Sequence, residues 1–165
     1  MQVFFYHCIF ILLRYIYYLP VLIFLILPPF VSAQVSALSP AVTGDEKLAY
    51  IGMTLEQLIE RFGVPRTVVA ARGNETWQDD VVFQYADADF FIHRDRVWQA
   101  KFSTACGIST RDRKAAVMLL LGNTAEDKGD HALLSIPDKD WPTMIRVNFN
   151  NSGQVISIFI YRSDF

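Results

Sequence analysis

Residues 55–62 carry the clearest hydrophobic pattern in the chain. Four apolar residues recur there at the spacing that places them on one face of an α-helix: Leu55, Leu58, Ile59 and Phe62. Thr54 precedes them as a good N-cap, and Gln57 stands at capping-box spacing. Gly63 suits a left-handed C-cap, and Pro65 cannot continue a helix. The pattern therefore predicts a short amphipathic helix over residues 55–62, which must pack on something because eight residues are not helical alone in water.

Strand-like segments follow this helix. Residues 81–85, 90–93 and 97–102 are rich in β-branched and aromatic side chains, and turn residues separate them. In the third segment, side-chain alternation predicts one mostly apolar face, made of Trp98, Ala100 and Phe102, and one mixed face, made of Val97, Gln99 and Lys101. The alternation does not settle which face is buried. Together, the three segments predict an antiparallel meander on which the helix packs.

The same order of elements recurs later in the chain. Gly107-Ile108-Ser109 resembles Gly52-Met53-Thr54, and it predicts a second helix over residues 111–121, capped by Ser109 or Thr110 and ended by Gly122. This helix is expected to be about one turn longer than the first. Three further strands are predicted at residues 132–136, 143–149 and 154–161. The alternative is that helix-then-strands occurs twice by chance in an α+β chain.

We therefore predict an α+β fold of two tandem repeats, residues 50–106 and 107–165. Each repeat is a short helix, or a helix pair, packed on a three- to four-stranded antiparallel meander. Residues 34–49 are small and polar with Pro40 and Gly44, and they predict a flexible spacer.

The first 33 residues predict export. They are strongly apolar, contain Arg14 as their one charge, and end in Val31-Ser32-Ala33, a small-residue pattern of the kind cleaved by signal peptidase. A cleaved signal peptide and a retained transmembrane anchor both fit this segment. Either reading places the rest of the chain outside the cytoplasm: periplasmic, anchored and facing the periplasm, or secreted.

Charge and cysteine content narrow the classes of function. Beyond residue 33 the chain has 14 basic and 17 acidic residues, a net charge of 14 − 17 = −3. A net negative domain does not favour nucleic acid as a partner, since phosphate binding requires clustered positive charge. Cys106 is the one cysteine after residue 33, so no disulfide within the domain is possible and its apolar core must hold the fold.

The first repeat resembles a known family. Gly52-Met53-Thr54, the apolar helix, Gly63 and Pro65, and a meander ending in Val97-Trp98 resemble the small outer-membrane-assembly lipoproteins. Doubled in tandem over about residues 50–161, the pattern resembles the β-lactamase-inhibitory protein fold. The resemblance implies helices on one face of a sheet and a concave surface between two repeats. This chain differs from the lipoprotein family because it lacks an acylated cysteine at the mature N-terminus. It differs from the inhibitor because it lacks the paired-cysteine loops.

Candidate catalytic and metal-binding groups are few. Cys106 is a candidate nucleophile with His93 or His131 as its base, although a single cysteine between repeats more often fills a core. His93 and His131 with Asp87, Asp89 or Asp130 are candidate metal ligands, but they lack a ligand spacing. We expect neither catalysis nor a metal or other cofactor.

Aromatic side chains give the stronger functional argument. Large aromatics on an uncovered sheet face, beside polar or cationic groups, are typical anchors of protein interfaces. The predicted binding residues are Trp77, Tyr85, His93, Trp98, Gln99, Lys101 and Trp141. We expect Gln99, Lys101 and His93 to reach the open face together with one or more of the large aromatics.

The function predicted is that of a non-enzymatic, exported protein-binding or scaffolding module of the bacterial cell envelope. Its partner would be another envelope protein, with membrane contact through residues 1–33 if they are retained. The alternatives are a secreted or periplasmic protein inhibitor of an enzyme and an enzyme of unrecognised type.

Overall fold

A computed structural model of the chain describes residues 38–71, 80–137 and 139–164. Its helices, in chain order, are α1 (Pro40–Thr43), a 3₁₀ helix (Glu46–Tyr50), α2 (Leu55–Phe62), α3 (Lys114–Leu121) and a second 3₁₀ turn (Gly122–Thr124). Within those residues no helix has the length and apolar character needed to cross a membrane. The leader predicted at residues 1–33 lies outside the described residues.

Among the described residues, eight strands form one antiparallel sheet. They are β1 (Thr67–Ala71), β2 (Asp80–Gln84), β3 (Ala88–His93), β4 (Arg96–Phe102), β7 (Glu126–Asp127), β8 (His131–Ile136), β9 (Thr143–Phe149) and β10 (Val155–Arg162). The spatial order is β1-β2-β3-β4-β10-β9-β8-β7, and β5 (Thr104–Ala105) pairs with β6 (Ile108–Ser109) in a separate two-residue ladder. The prediction of an α+β fold with an antiparallel sheet is confirmed.

Helix α2 has the bounds and caps that the sequence predicted. Thr54 Oγ1 accepts a hydrogen bond from the Gln57 amide (3.2 Å), and Gln57 Oε1 accepts one from the Thr54 amide (3.0 Å). Gly63, with φ 73°, ends the helix and donates its N–H to the Ile59 carbonyl. The local signals sufficed because each partner lies within one turn.

The prediction for the second helix is wrong at its start. Helix α3 begins at Lys114, is as long as α2, and has Arg113 as an N-cap whose side chain makes no capping bond. Ser109 lies in strand β6 instead, and Arg111 has a positive φ of 80°, which a helix cannot contain. Gly122 does end the helix, as predicted.

The two helices enter the sheet through matching backbone hydrogen bonds. Before α2 these bonds run from Gly52 N to Val97 O, Val97 N to Met53 O and Leu55 N to Asp95 O. Before α3 they run from Arg111 N to Val155 O, Val155 N to Asp112 O and Lys114 N to Gly153 O. The position equivalent to Gly52 is therefore Arg111, at an offset of 111 − 52 = 59, and not Gly107 as the sequence echo suggested.

The predicted strands are present, with ends that differ by no more than two residues, but other strands were not predicted. Strands β1, β5, β6 and β7 lack the alternating apolar pattern that reveals β2–β4 and β8–β10. The turn predicted between β3 and β4 is a tight hairpin at Arg94 and Asp95, which both have positive φ, 46° and 64°.

The core lies between one face of the sheet and the helices. Leu58 of α2 and Val117 and Leu121 of α3 join sheet residues such as Phe90 and Ile160 in one buried cluster. Val42 and Leu48 belong to the same cluster at 0% and 3% exposure. The predicted spacer of residues 34–49 is therefore wrong for its described part, residues 38–49, because α1 and the first 3₁₀ helix pack into the core.

Candidate functional site

The sheet has a second face that points away from this core. Cross-strand pairs identify it: Gln99 opposite Phe91 and Tyr161, and Phe159 opposite Lys101 and Arg146. Directly opposed residues lie on the same face of a sheet. These side chains alternate with the buried residues Phe90, Ala100, Ile158 and Ile160. We call this side of the sheet the open face.

A groove runs across the open face where the two halves of the sheet meet, at strands β4, β10 and β9. Its volume is about 690 Å³, and its lining residues are Trp98, Gln99, Arg146, Asn148, Phe159, Tyr161, Arg162 and Ser163. We call it the open-face groove. It combines half-buried aromatic rings with amide and guanidinium groups, a composition suited to protein recognition.

Trp98 reaches the groove because of a β-bulge. The pairing of β3 with β4 shifts between Phe91–Gln99 and Ile92–Val97, which leaves Trp98 as the extra residue. Strict alternation would have placed Trp98 with Ala100 on the core face; the bulge turns it toward the groove instead. Its ring stands edge-on to Phe91, with centroids 6.5 Å apart.

Hydrogen bonds link three polar side chains of β9 and β10, and they fix this side of the groove. Arg146 Nε donates to Asn148 Oδ1 (2.8 Å), and Asn148 Nδ2 donates to Ser157 Oγ (2.9 Å). The first bond uses one of the five guanidinium N–H donors, so the others remain for a ligand. Among the described residues, no carboxylate forms an ion pair with Arg146. Arg146 thus gives the groove a positive charge that is not held in a direct ion pair with a described residue.

On the open face of strands β2 to β4, two basic side chains each lie near a carboxylate. Lys101 Nζ lies 3.6 Å from Asp89, and His93 Nδ1 lies 3.7 Å from Asp80. These contacts place both predicted residues, Lys101 and His93, on the open face beside Gln99. Their role in binding stays a prediction.

Tyr85, one of the predicted binding residues, does not lie on the open face. Its ring packs against Phe62 and Phe90 on the core side, and its hydroxyl donates to the Gly63 carbonyl at 3.0 Å. Burial raises the pKa of Tyr85 above its ordinary value. Tyr85 therefore holds the C-terminal end of α2 against the sheet.

Trp141 is not among the residues that line the groove. It precedes β9, and the Arg162 guanidinium stacks 3.8 Å from its ring centroid. Trp141 contacts Gly52 so closely that a Cβ there would stand 2.3 Å from the indole Nε1. Trp77, the remaining predicted residue, lies outside the described residues.

Sequence reasoning omitted part of the groove from the predicted site: Arg146, Asn148, Phe159 and Tyr161. A usable signal exists in β9, where Met144, Arg146 and Asn148 alternate with buried Ile145 and Val147. That alternation assigns the first three to the open face.

Cys106 is a core residue. It is 0% exposed, and burial, reinforced by the Asp45 carboxylate, raises the pKa of its thiol to about 12. Its backbone N–H donates to that same carboxylate. A protonated thiol in the core is a poor nucleophile at neutral pH, since the thiolate is the reactive form.

The candidate metal ligands do not converge. His131 Nδ1 lies 2.7 Å from Asp130, while His93 lies near Asp80. Over residues 38–71, 80–137 and 139–164, no group of three or more His, Cys, Asp or Glu side chains is placed to hold a metal ion.

No protein-family model matches the sequence, and no curated protein matches it. A crystal structure of an extracellular protein containing an SCP domain, from Bacillus anthracis str. Ames, is similar at 14% identity and a TM-score of 0.49. The match covers 71% of this chain and 45% of that one, so this chain spans less than half of that protein. A likeness this weak assigns neither a family nor an activity.

Proposed function

We propose that this protein is a non-enzymatic, exported binding module of the bacterial cell envelope that contacts another envelope protein through the open-face groove. The observation that carries the proposal is the groove itself: half-buried aromatic rings beside an arginine without an ion-pair partner among the described residues. Aromatic and arginine side chains are the residue types that contribute most to protein interfaces.

The groove chemistry specifies what the partner must offer. Trp98, Phe159 and Tyr161 provide apolar surface that gains from exclusion of water. A carboxylate of the partner would pair with Arg146, since guanidinium–carboxylate pairs are favourable when both groups are desolvated together. The partner surface would therefore carry an apolar side chain next to an acidic one.

Export is supported by the sequence of residues 1–33, whose apolar run and small-residue end are typical of a signal peptide or an anchor. The domain does not depend on disulfides, because its one cysteine is buried as a thiol in the core.

The repeat organisation belongs to the same proposal. We infer that residues 50–106 and 107–165 are tandem copies of one helix–meander unit, as the resemblance to the β-lactamase-inhibitory protein fold implies. Support comes from the matching hydrogen bonds before α2 and α3 and from the central pairing of β4 with β10, the last strand that each unit contributes to the large sheet. If Arg111 replaces an ancestral glycine equivalent to Gly52, restoring glycine there should not destabilise the fold.

The interface can be tested by site-specific photo-crosslinking in a bacterium that makes the protein. A photoreactive residue at Gln99, in the groove, should give one discrete protein adduct. The same residue at Glu56, exposed on helix α2, is the matched control and should not give that adduct.

Replacing Arg146 and Tyr161 together by alanine should remove the adduct while the protein still unfolds cooperatively in urea. An adduct that survives this double replacement, or that forms from Glu56 and not from Gln99, would rule out the groove as the contact surface. A folded protein with no adduct from either position would count against the binding function itself.

A further inference from the structure

The two edges of the eight-stranded sheet differ sharply in chemistry. Strand β7, at one edge, is two residues long and both are acidic, Glu126 and Asp127. Strand β1, at the other edge, is five residues long and reads Thr-Val-Val-Ala-Ala, without a charge or a proline. Within the described residues, β2 is the one strand paired with β1.

Edge strands normally carry features that prevent pairing with another chain. Short length, charged side chains, prolines and bulges are the usual ones, because an edge offers a row of unpaired N–H and C=O groups. Strand β7 is short and charged, whereas β1 has none of these features and pairs with β2 in regular register. The β1 edge is thus a template for a further strand.

Exposed apolar side chains reinforce this edge on both faces of the sheet. Val68, 53% exposed, is paired with Phe83 and so points to the core side; Val69, 39% exposed, is paired with Val82 and so points to the open side. Val81 of β2 and Val64 in the loop before β1 are also exposed. A strand added at β1 would find apolar contacts on either face.

The charges at the ends of β1 indicate which strand would fit. Arg66 immediately precedes β1, is exposed, and makes no ion pair with any described residue. Strand β1 itself contains no acidic residue, so a second copy of β1 would leave Arg66 without a charge partner and is a poor occupant.

We propose that the β1 edge binds an extended segment of another protein as a ninth strand, with β-branched residues at its centre and an acidic residue that pairs with Arg66. Backbone hydrogen bonds to β1 supply affinity, and the apolar contacts and the charge pair supply specificity, as in other cases of strand addition. This surface lies at the sheet edge and does not involve the groove residues. The strand-binding proposal can therefore be tested independently of the proposed function.

The test uses hydrogen exchange of the full-length protein with two synthetic peptides. Each has five β-branched residues flanked on both sides, by aspartates in one peptide and by lysines in the other. The aspartate-flanked peptide should slow amide exchange at residues 67–71, and the lysine-flanked peptide should bind about three- to tenfold more weakly, as expected for reversing one cross-strand charge pair.

Three variants complete the design. Val69→Lys should abolish the protection, whereas Leu119→Lys, which alters an exposed apolar residue on α3, away from β1, should leave it unchanged. Arg66→Glu should reverse the preference toward the lysine-flanked peptide, and it keeps the test valid if Val69→Lys fails to fold.

Equal effects of the two peptides, or no protection from either, would overturn the proposal. Slow exchange without peptide at those amides of residues 67–71 that do not donate to β2 would also overturn it. Dependence of that exchange on protein concentration would identify a second copy as the occupant, and independence would identify another segment of the same chain.

Discussion

Helices α2 and α3 join the sheet through the same set of backbone bonds, yet their first turns are stabilised by different means. α2 has a complete capping box made by Thr54 and Gln57. α3 has no side-chain cap, and instead Lys114 at its first position contacts Asp127 (2.6 Å) and the Gly129 carbonyl (2.8 Å). Attachment to the sheet is thus the shared element, and local capping is the part that varies.

The residues before the two helices show a second difference. Gly52 and Arg111 occupy equivalent positions with φ of 89° and 80°. An arginine is accommodated at one position, whereas a Cβ at the other would collide with Trp141. The glycine is therefore required by the close packing of Trp141 in addition to the turn.

The strongest way to test this difference is Gly52→Ala. We expect a loss of about 2–4 kcal/mol in the free energy of unfolding, from the positive φ and from overpacking against Trp141. Arg111→Ala should change it by less than about 0.5 kcal/mol, since a side chain is already tolerated there. Urea denaturation measures both variants.

Trp141→Ala in the Gly52→Ala background separates the two causes. The penalty of Gly52→Ala should fall by about 1 kcal/mol or more if the indole contact matters, because contacting residues are not additive. Strict additivity would assign the whole effect to the backbone.

Removal of the α2 cap should have a smaller effect. Thr54→Ala is expected to lower the free energy of unfolding by about 1 kcal/mol. Arg113→Ala should be close to neutral, and Arg113→Thr should stabilise by up to about 1 kcal/mol by creating the missing cap. If Arg113→Ala is as costly as Thr54→Ala, the arginine supports α3 through contacts other than capping.

Arg111→Gly should stabilise the protein by about 0.5 kcal/mol. Glycine relieves left-handed strain of about 1–2 kcal/mol, and its extra freedom in the unfolded chain offsets part of that gain. Thermal unfolding compared with the parent protein measures the effect. A clear loss of stability would contradict the equivalence of Arg111 with Gly52.

The smallest predicted effect is a pH dependence of stability that arises at the first turn of α3. The hydrogen bond from Lys114 lowers the pKa of Asp127 below its ordinary value of 3.8. Because the folded-state pKa is lowered, this contribution is present above about pH 4 and is lost as the pH falls through the lowered pKa.

Lys114→Met should return the pKa of Asp127 toward 3.8, as read from an NMR titration of its carboxyl carbon. Asp164, which is held by Arg162 at the far end of β10, should keep its lowered pKa in that variant and serves as the control. An unchanged Asp127 would show that Lys114 does not contact it in solution.

The parts of the fold that could be predicted are those with local signals. The bounds of α2 follow from a cap, an apolar stripe and a glycine within ten consecutive residues. The start of α3 could not be read in the same way, because it is set by hydrogen bonds to Gly153 and Val155, which are distant in sequence. Strand β1 was missed because it is an exposed edge with no alternation of apolar and polar residues.

The residues of the candidate site also form two groups: those that a local pattern could identify and those whose position depends on tertiary packing. Alternation along β4 groups Gln99 with Lys101 on one face, and Arg146 and Asn148 could have been found from alternation along β9. The groove position of Trp98 depends on a bulge set by the pairing of β3 with β4, and the burial of Tyr85 depends on where α2 docks. Those features arise from tertiary packing, which single-sequence patterns do not encode.

The central position of β10 has a consequence for the order of assembly on the ribosome. β4 is complete many residues before β10 is synthesised, yet the two are neighbours in the finished sheet. Until β10 arrives, β4 and β9 both present open edges, and the sheet exists as two unjoined halves. Such non-local closure is slow. A nascent chain would thus lack the pairing that joins the two halves of the sheet until its last strand has been synthesised.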